Sequence, residues 1–155
     1  MQKTLLAVIT TIALCVTTIT FGHSGATGIV KERMDSMKEL GKQSKLVTKM
    51  FKGQSTFDKT EVIDAADLFI QHGEKMLSLF PDTEQSRQGK MTEALPKIWK
   101  DWDGFTAEVD EFIDRSEVLQ QTAASTDDQK VLRKAFMQAT KSCSSCHKAY
   151  RKPKR

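Results

Sequence analysis

Two cysteines and a histidine near the C-terminus have the spacing of a covalent cofactor site. They are Cys143, Cys146 and His147, in the pattern Cys-x-x-Cys-His. On a helix, residues three and four apart share a face, so both sulfur atoms can add to the vinyl groups of one haem. The His147 imidazole can then reach the iron of the same ring. The motif therefore predicts one c-type haem, with Cys143 and Cys146 as its covalent attachment points and His147 as an iron ligand.

Other chemistry for this motif fits the sequence less well. A structural zinc site needs four ligands, and outside the motif and the N-terminal segment only His23 and His72 remain as histidine or cysteine donors. A thioredoxin-like site places its first cysteine at the N-terminus of a helix in a βαβ unit, whereas these cysteines lie near the end of a helix. A haem-free metal or thiol protein stays open as an alternative of another class.

The N-terminal segment predicts export of the chain. Lys3 provides a positive charge, and residues 5–16 form an apolar stretch. This stretch is shorter than the about 20 residues that a helix needs to span a bilayer. We interpret residues 1–22 as a cleaved signal peptide, with cleavage before His23 or four residues later. Cys15 follows Leu14 rather than a small residue, which argues against a lipid anchor. Residues 23–155 then form one periplasmic domain without a membrane anchor.

The charge of the mature chain is small and unevenly distributed. The full chain carries a formal charge of +4, and loss of Lys3 leaves +3, which is too weak for a nucleic-acid binder. Basic residues nevertheless cluster near the motif, namely Lys141, Lys148, Arg151, Lys152, Lys154 and Arg155. This cluster could attract the acidic docking surface of a redox partner, or it could simply complement the dipole at a helix end.

Apolar residues recur at helical spacing along the whole mature chain, and regular β alternation is scarce. Four helices are predicted, over about residues 29–51, 58–80, 96–119 and 127–150. Each has one narrow apolar stripe, and His72 lies beside the second stripe, where we expect it to be exposed. Narrow stripes with heptad-like spacing favour an all-α fold, an antiparallel up-down-up-down four-helix bundle.

Local signals mark the ends of these helices. Asp58 is a candidate N-cap of the second helix, and Pro81 ends that helix. Pro96 suits the first position of the third helix. Thr126 followed by Gln129 has the form of a capping box for the fourth helix. Residues 82–94 form the longest predicted connection.

The chain resembles a known family in several of these features. Cys143 to His147, followed by Tyr150 and Arg151 close to the C-terminus, is similar to the class II c-type cytochromes, the cytochrome c′ group. Further similarities are Phe80-Pro81, Pro96-Lys97-Ile98-Trp99 and Phe105. The position of the motif near the C-terminus is the most specific of them. The resemblance implies a cytochrome c′-like bundle with one haem c, and its iron, packed between the helices.

The resemblance also implies roles for residues of the first helix. In high-spin members of the family an apolar residue covers the iron and leaves its sixth site open to small gases, whereas in the low-spin cytochrome c-556 type a methionine closes that site. The stretch over residues 29–41 resembles the low-spin type, with Met37 as the distal iron ligand. Met34 lies off the apolar stripe and is expected to be peripheral.

Two arginines are expected at the haem periphery. Arg33 lies one turn before Met37 on the same face, so the resemblance implies a contact with a haem propionate. Arg151 lies four residues after His147, which predicts a position near the haem edge.

These features together predict a periplasmic one-electron carrier with His147 and Met37 as axial ligands. No substrate bond would be made or broken, so the chain is not predicted to be an enzyme. The alternative within the family is a five-coordinate cytochrome c′ that binds nitric oxide or carbon monoxide. The expected partners are redox proteins, and the predicted assembly is a monomer or a homodimer.

Overall fold

Helices make up most of the protein. The structure is a computed structural model and describes residues 25–153. Within that range the helices are α1 (Gly28–Phe51), α2 (Lys59–Met76), α3 (Glu84–Gln88), α4 (Lys97–Lys100), α5 (Trp102–Ser125) and α6 (Gln129–Tyr150). The predicted signal peptide over residues 1–22, and also Lys154 and Arg155, lie outside the described residues.

The four long helices form the predicted bundle. α1 packs against α2, α2 against α5, and α5 against α6, so each long helix lies beside the next one along the chain. In the described part of the chain there is no β-strand, only an isolated antiparallel bridge between Ala94 and Arg151. The prediction of an all-α four-helix bundle is therefore confirmed. The first and last helices, α1 and α6, contact each other at few points, because a cleft separates them.

No helix within residues 25–153 combines the length and the apolar character that crossing a membrane would require.

Aromatic rings fill the centre of the bundle. Phe69 of α2 is buried between Phe112 of α5 and Phe136 of α6, with ring centroids 5.7 Å and 6.4 Å away, respectively. Farther along, Leu119 of α5 is completely buried. Burial of such apolar side chains is the main favourable term in folding, and it fixes α2, α5 and α6 as the frame on which α1 is placed.

Two helices end or break earlier than the sequence pattern predicts. α2 ends at Met76 and continues as a 3-10 turn over Leu77–Leu79, ahead of Pro81. The predicted third helix is divided into α4 and α5, because Asp101 between them has a non-helical backbone with φ −131° and ψ 54°. The predicted connection over residues 82–94 contains the short helix α3.

The N-caps were predicted correctly for α2 and wrongly for α6. The Asp58 side chain accepts a hydrogen bond from the Thr60 amide at 2.8 Å, as expected of an N-cap. In α6 the cap is Asp128, whose carboxylate accepts from the amides of Lys130 and Val131. The Thr126 hydroxyl oxygen instead accepts a hydrogen bond from the amide of Asp128, the residue that precedes the helix. The capping box at Thr126 and Gln129 is therefore incorrect.

His72 joins α1 to α2 and is not an exposed histidine. Its Nδ1 lies 2.6 Å from Ser36 Oγ, and its Nε2 lies 3.1 Å from Glu39 Oε2. Both partners are on α1, so the imidazole links the two helices through both of its ring nitrogens. The prediction from its position beside the apolar stripe was wrong because it considered α2 alone.

Main-chain hydrogen bonds fasten the C-terminus of α6 to the loop before α4. The Leu95 amide donates to the Tyr150 carbonyl at 2.9 Å, and the Lys152 amide donates to the Glu93 carbonyl at 2.8 Å. The loop thereby becomes a fixed wall beside the last turn of α6.

A side-chain hydrogen bond holds the end of α6 to the break between α4 and α5. The Tyr150 hydroxyl donates to Asp101 Oδ2 at 2.8 Å. This bond is the main reason that the pKa of Asp101 lies below its usual value, with Lys97 assisting. Burial, together with the same carboxylate, raises the pKa of Tyr150 to about 12.

Leu119→Ala should strongly destabilise the bundle, because it leaves a cavity at a site with 0% exposure. We expect a loss of about 2–5 kcal/mol in the free energy of unfolding, measured by urea denaturation followed by circular dichroism. The neighbouring Val118, which is 55% exposed, provides the control. Val118→Ala should change the free energy by no more than about 0.5 kcal/mol, and an equal effect of both substitutions would contradict the packing described here.

Tyr150→Phe should destabilise the protein more at pH 7 than at pH 3. Because the pKa of Asp101 is lowered in the folded state, this carboxylate stabilises the fold above its unfolded-state pKa of 3.8, and the stabilisation is lost as the pH falls. Removing the Tyr150 hydroxyl removes the main cause of the shift. The measurement is urea denaturation of both proteins at each pH. In a double-mutant cycle with Asp101→Asn the two effects should not add, and additive effects would show that the two groups are not coupled.

Candidate functional site

A cleft between α1 and the end of α6 brings together most of the residues that the sequence singled out. Its volume is about 540 Å³, which is within the usual range for cofactor sites. Cys146 and His147 line it from α6, and Met37 lines it from α1. The remaining lining residues include Val30, Arg33, Met34, Gly41, Phe80, Glu93, Phe105, Tyr150 and Arg151.

A smaller cavity adjoins this cleft and adds the second cysteine. It has a volume of about 170 Å³ and is lined by Cys143 together with apolar residues of α2 and α5. Met37, Cys146 and His147 line both spaces. The two cysteines and the histidine of the motif therefore face one continuous space, opposite Met37.

The motif occupies the last two turns of α6, and its surroundings favour the protonated form of both thiols. Burial raises the pKa of Cys143, and it raises the pKa of Cys146 to about 12 with a further contribution from the Glu108 carboxylate. Reactive cysteines have lowered pKa values instead. Within residues 25–153 no three His, Cys, Asp or Glu side chains are gathered as a metal ion would require.

Arg33 is a buried cation that faces the cleft. Its residue is 5% exposed, its Nη2 donates to the Ser86 carbonyl at 2.7 Å, and its guanidinium lies 4.6 Å from the centroid of the Phe80 ring. Burial lowers the pKa of the guanidinium below its usual value. No carboxylate of residues 25–153 lies within 4.0 Å of it. A buried charge of this kind requires a compensating anion, and a haem propionate in the cleft has the right charge.

Arg151 also lines the cleft, but its charge already has a partner. Its Nε donates to Glu93 Oε2 at 2.7 Å, across the bridge that joins the loop to the end of α6. Its predicted position at the haem edge stays a prediction. Its pairing with Glu93 makes Arg151 a weaker candidate than Arg33 for binding a propionate.

The α1 wall of the cleft combines the apolar residues Val30, Met34 and Met37 with two cations, Arg33 and Lys38. Met37 is half-buried there, and Met34, which was expected to be peripheral, lines the same space. Gly41 follows one turn after Met37, and a Cβ atom placed on it would meet no other atom within 4 Å.

Glu108 is a site residue that the sequence did not reveal. Its carboxylate accepts a hydrogen bond from Ser145 Oγ, within the motif, at 2.6 Å, and it lines the smaller cavity. Its one sequence signal is a position on α5 next to the apolar stripe of Phe105 and Val109. That position does not show which neighbouring helix the carboxylate faces.

The donor set and the shape of the cleft fit a covalently bound haem. Two protonated thiols lie on the side of the space where His147 lies, a buried cation without a carboxylate partner in the described range faces it, and apolar rings cover its floor.

Comparisons with known proteins point to one family. The family model described as Cytochrome C′ matches residues 28–151. A cytochrome c′ from Alcaligenes xylosoxydans is 30% identical over 125 residues, covering 81% of this chain and 94% of the relative. A cytochrome c′ from Rhodopseudomonas palustris is 29% identical over 129 residues, covering 83% of this chain and 84% of the relative.

Solved structures have the same bundle. That of cytochrome c′ from Rhodopseudomonas palustris gives a TM-score of 0.75 at 27% identity, covering 83% of this chain and 99% of that one. A nitric oxide complex of a variant of cytochrome c′ from Alcaligenes xylosoxidans gives a TM-score of 0.70 at 26% identity. The match covers 81% of this chain and 94% of that one.

These relatives are named cytochrome c′, so the low-spin cytochrome c-556 subtype stays a prediction. The matched region includes the motif, the cleft and all four long helices, and the chain therefore belongs to the cytochrome c′ family, whose members carry a covalent haem c with its iron.

Proposed function

We propose that this chain is an exported haem c protein that binds small diatomic gases on the α1 side of its haem. The observation that carries the proposal is the cleft, in which Cys146 and His147 face an α1 wall that contributes no imidazole and no carboxylate, so that a methionine thioether is the main competitor of a gas. A relative solved as a nitric oxide complex supports this function over the electron carrier that the sequence first favoured. Haem iron, when bound, supplies an axial site for a gas and a one-electron couple.

We assign the attachment of the haem and the ligation of its iron to residues of α6. We assign covalent attachment to Cys143 and Cys146 and iron ligation to His147. All three lie in the last two turns of a helix that is capped by Asp128 and packed against α5. The cap and the Tyr150 hydrogen bond hold this helix at both ends, so the backbone from which the His147 side chain extends is held in place.

Orientation of the haem is assigned to the two arginines. Arg33, which is buried and has no carboxylate within 4.0 Å in residues 25–153, would pair with a propionate. Arg151 would lie at the haem edge while keeping its ion pair with Glu93. A charge-assisted hydrogen bond from Arg33 would favour one orientation of the ring in the cleft.

Met37 determines how a gas can reach the site. Its side chain lines both cavities on the wall opposite His147, so its thioether competes for the position that a gas would take. If that competition is weak, the site is open. If Met37 ligates tightly, the protein is instead a one-electron carrier with His147 and Met37 as axial ligands, which is the second candidate function. Neither function includes a bond-making step on a substrate.

The export of the chain is part of the proposal. The signal-like residues 1–22 support a periplasmic location, where covalent haem attachment and encounters with gases or redox partners would take place. The family also makes a homodimer plausible, while the redox partners remain a prediction.

The motif cysteines should be necessary for covalent haem. In a denaturing gel stained for haem peroxidase activity, the wild-type band should stain, and Cys143→Ala/Cys146→Ala should lose the stain completely because no thioether bond can form. Ser144→Ala, within the same motif but exposed, is the control and should stain like the wild type. A colourless wild-type protein would refute the assignment of the site.

Met37→Leu should raise the apparent affinity of the reduced protein for carbon monoxide by about two- to fivefold, because a competing thioether reduces the affinity to the fraction of sites that it leaves open. A rise well above about tenfold would mean that Met37 occupies nearly all of the sites, as in the electron carrier. The measurement is titration with carbon monoxide, followed by the absorption spectrum. Met34→Leu is the matched control, since Met34 lines the same wall one turn earlier, and it should change the affinity by less than about twofold.

Two outcomes would contradict the gas-binding proposal. One is a wild-type spectrum that does not respond to carbon monoxide and shows a methionine-sulfur charge-transfer band when oxidised, which would establish the electron carrier. The other is an effect of Met34→Leu that equals or exceeds that of Met37→Leu, which would assign the distal position to Met34.

A further inference from the structure

Acidic and basic residues are unevenly distributed along the chain, although the net charge is small. Residues 25–128 contain 14 lysines and arginines against 20 aspartates and glutamates, a net charge of −6. Residues 129–155 contain nine lysines and arginines and no acidic residue. Because α6 occupies most of the second segment, the helix that carries the haem motif is also the cationic part of the molecule.

Four lysines form a stripe along the solvent side of α6. Lys130, Lys134, Lys141 and Lys148 are spaced by four, seven and seven residues, which places them on one line along a helix. All four are exposed. We refer to these four residues as the lysine stripe.

The lysine stripe is not compensated within the described chain. Elsewhere, lysines form ion pairs, such as Lys31 with Asp35 and Lys59 with Asp127. No carboxylate of residues 25–153 lies within 4.0 Å of any lysine of the stripe. Lys130 and Lys134, four residues apart, repel each other on the helix, so this pair does not stabilise the fold.

Exposed apolar side chains accompany the stripe. Met137, in the middle of the stripe, is 57% exposed, and Val131 beside its first lysine is 45% exposed. Charged residues around a small apolar centre are typical of protein interfaces with a polar rim. At its C-terminal end the stripe reaches Lys148, which is adjacent to His147.

We propose that the lysine stripe is a docking surface for an acidic protein, which it holds beside the haem attachment site. The proposal goes beyond the proposed function, because it concerns the outer face of α6 and not the cleft. Complementary charge speeds encounter and orients a partner without requiring a large interface. The stripe is one helix wide and about 27 Å long by helical rise, a size suited to a transient complex.

An anionic membrane fits the same surface less well. A helix that binds in a membrane interface buries a broad apolar face among the lipids. The apolar face of α6, including Leu132, Phe136 and Ala139, is already buried in the bundle. Only Val131 and Met137 remain to enter a lipid layer from this helix.

The test uses the haem-loaded protein and labelled poly-L-glutamate as a probe of an acidic protein surface, with binding measured by fluorescence anisotropy at low ionic strength. Lys134→Gln/Lys141→Gln/Lys148→Gln should weaken binding at least about tenfold, and added salt should weaken the wild-type complex. The matched control is Lys42→Gln/Lys45→Gln/Lys49→Gln, which removes the same charge from exposed lysines of α1. It should weaken binding by less than about twofold.

Three results would overturn the proposal. Equal weakening by both triple variants would show that only net charge matters. Stripe-dependent binding to phosphatidylglycerol vesicles, without binding to poly-L-glutamate, would assign the surface to a membrane. Stripe-dependent self-association in sedimentation experiments, without binding to the probe, would assign it to a second copy of the chain. The absorption spectrum and the carbon monoxide titration test the haem site and do not depend on docking. A failure of the gas-binding proposal can therefore be distinguished from a failure of the docking proposal.

Discussion

The separation of α1 from α6 is the constraint on which the rest of the site depends. Three of the four pairs of neighbouring long helices, α1–α2, α2–α5 and α5–α6, pack directly against each other. The fourth pair, α1 and α6, contact each other at few points. Their inward faces carry apolar side chains and the Arg33 guanidinium, which bonds to Ser86 but has no carboxylate within 4.0 Å in residues 25–153. A haem held by Cys143 and Cys146 would cover both faces, and the aromatic core of α2, α5 and α6 positions the helices around it.

Much of this organisation could be predicted from the sequence because it depends on local spacing. The motif at Cys143 and Cys146, the four long helices and the Asp58 cap are all decided within a few residues of chain. The break at Asp101 could not be predicted in the same way, because the side chain that binds it comes from Tyr150 at the far end of α6. The bonds of His72 to Ser36 and of Ser145 to Glu108 likewise join helices that only the tertiary fold brings together.

The function was harder to predict than the site, and Met37 shows why. The sequence places this methionine on the face of α1 that meets the cleft, and the structure agrees with that placement. Whether a thioether binds iron or only covers it depends on small differences in helix position and on the strength of one bond. The relatives are named cytochrome c′, and a variant of one of them was solved as a nitric oxide complex.

The wall formed by the loop before α4 has a consequence for how this family can vary. It is joined to the end of α6 by hydrogen bonds between main-chain atoms, from Leu95 to Tyr150 and from Lys152 to Glu93. Main-chain donors are the same for every amino acid except proline. Evolution can therefore exchange the side chains that this wall presents to the cofactor without loosening the wall, provided that proline stays away from positions 95 and 152.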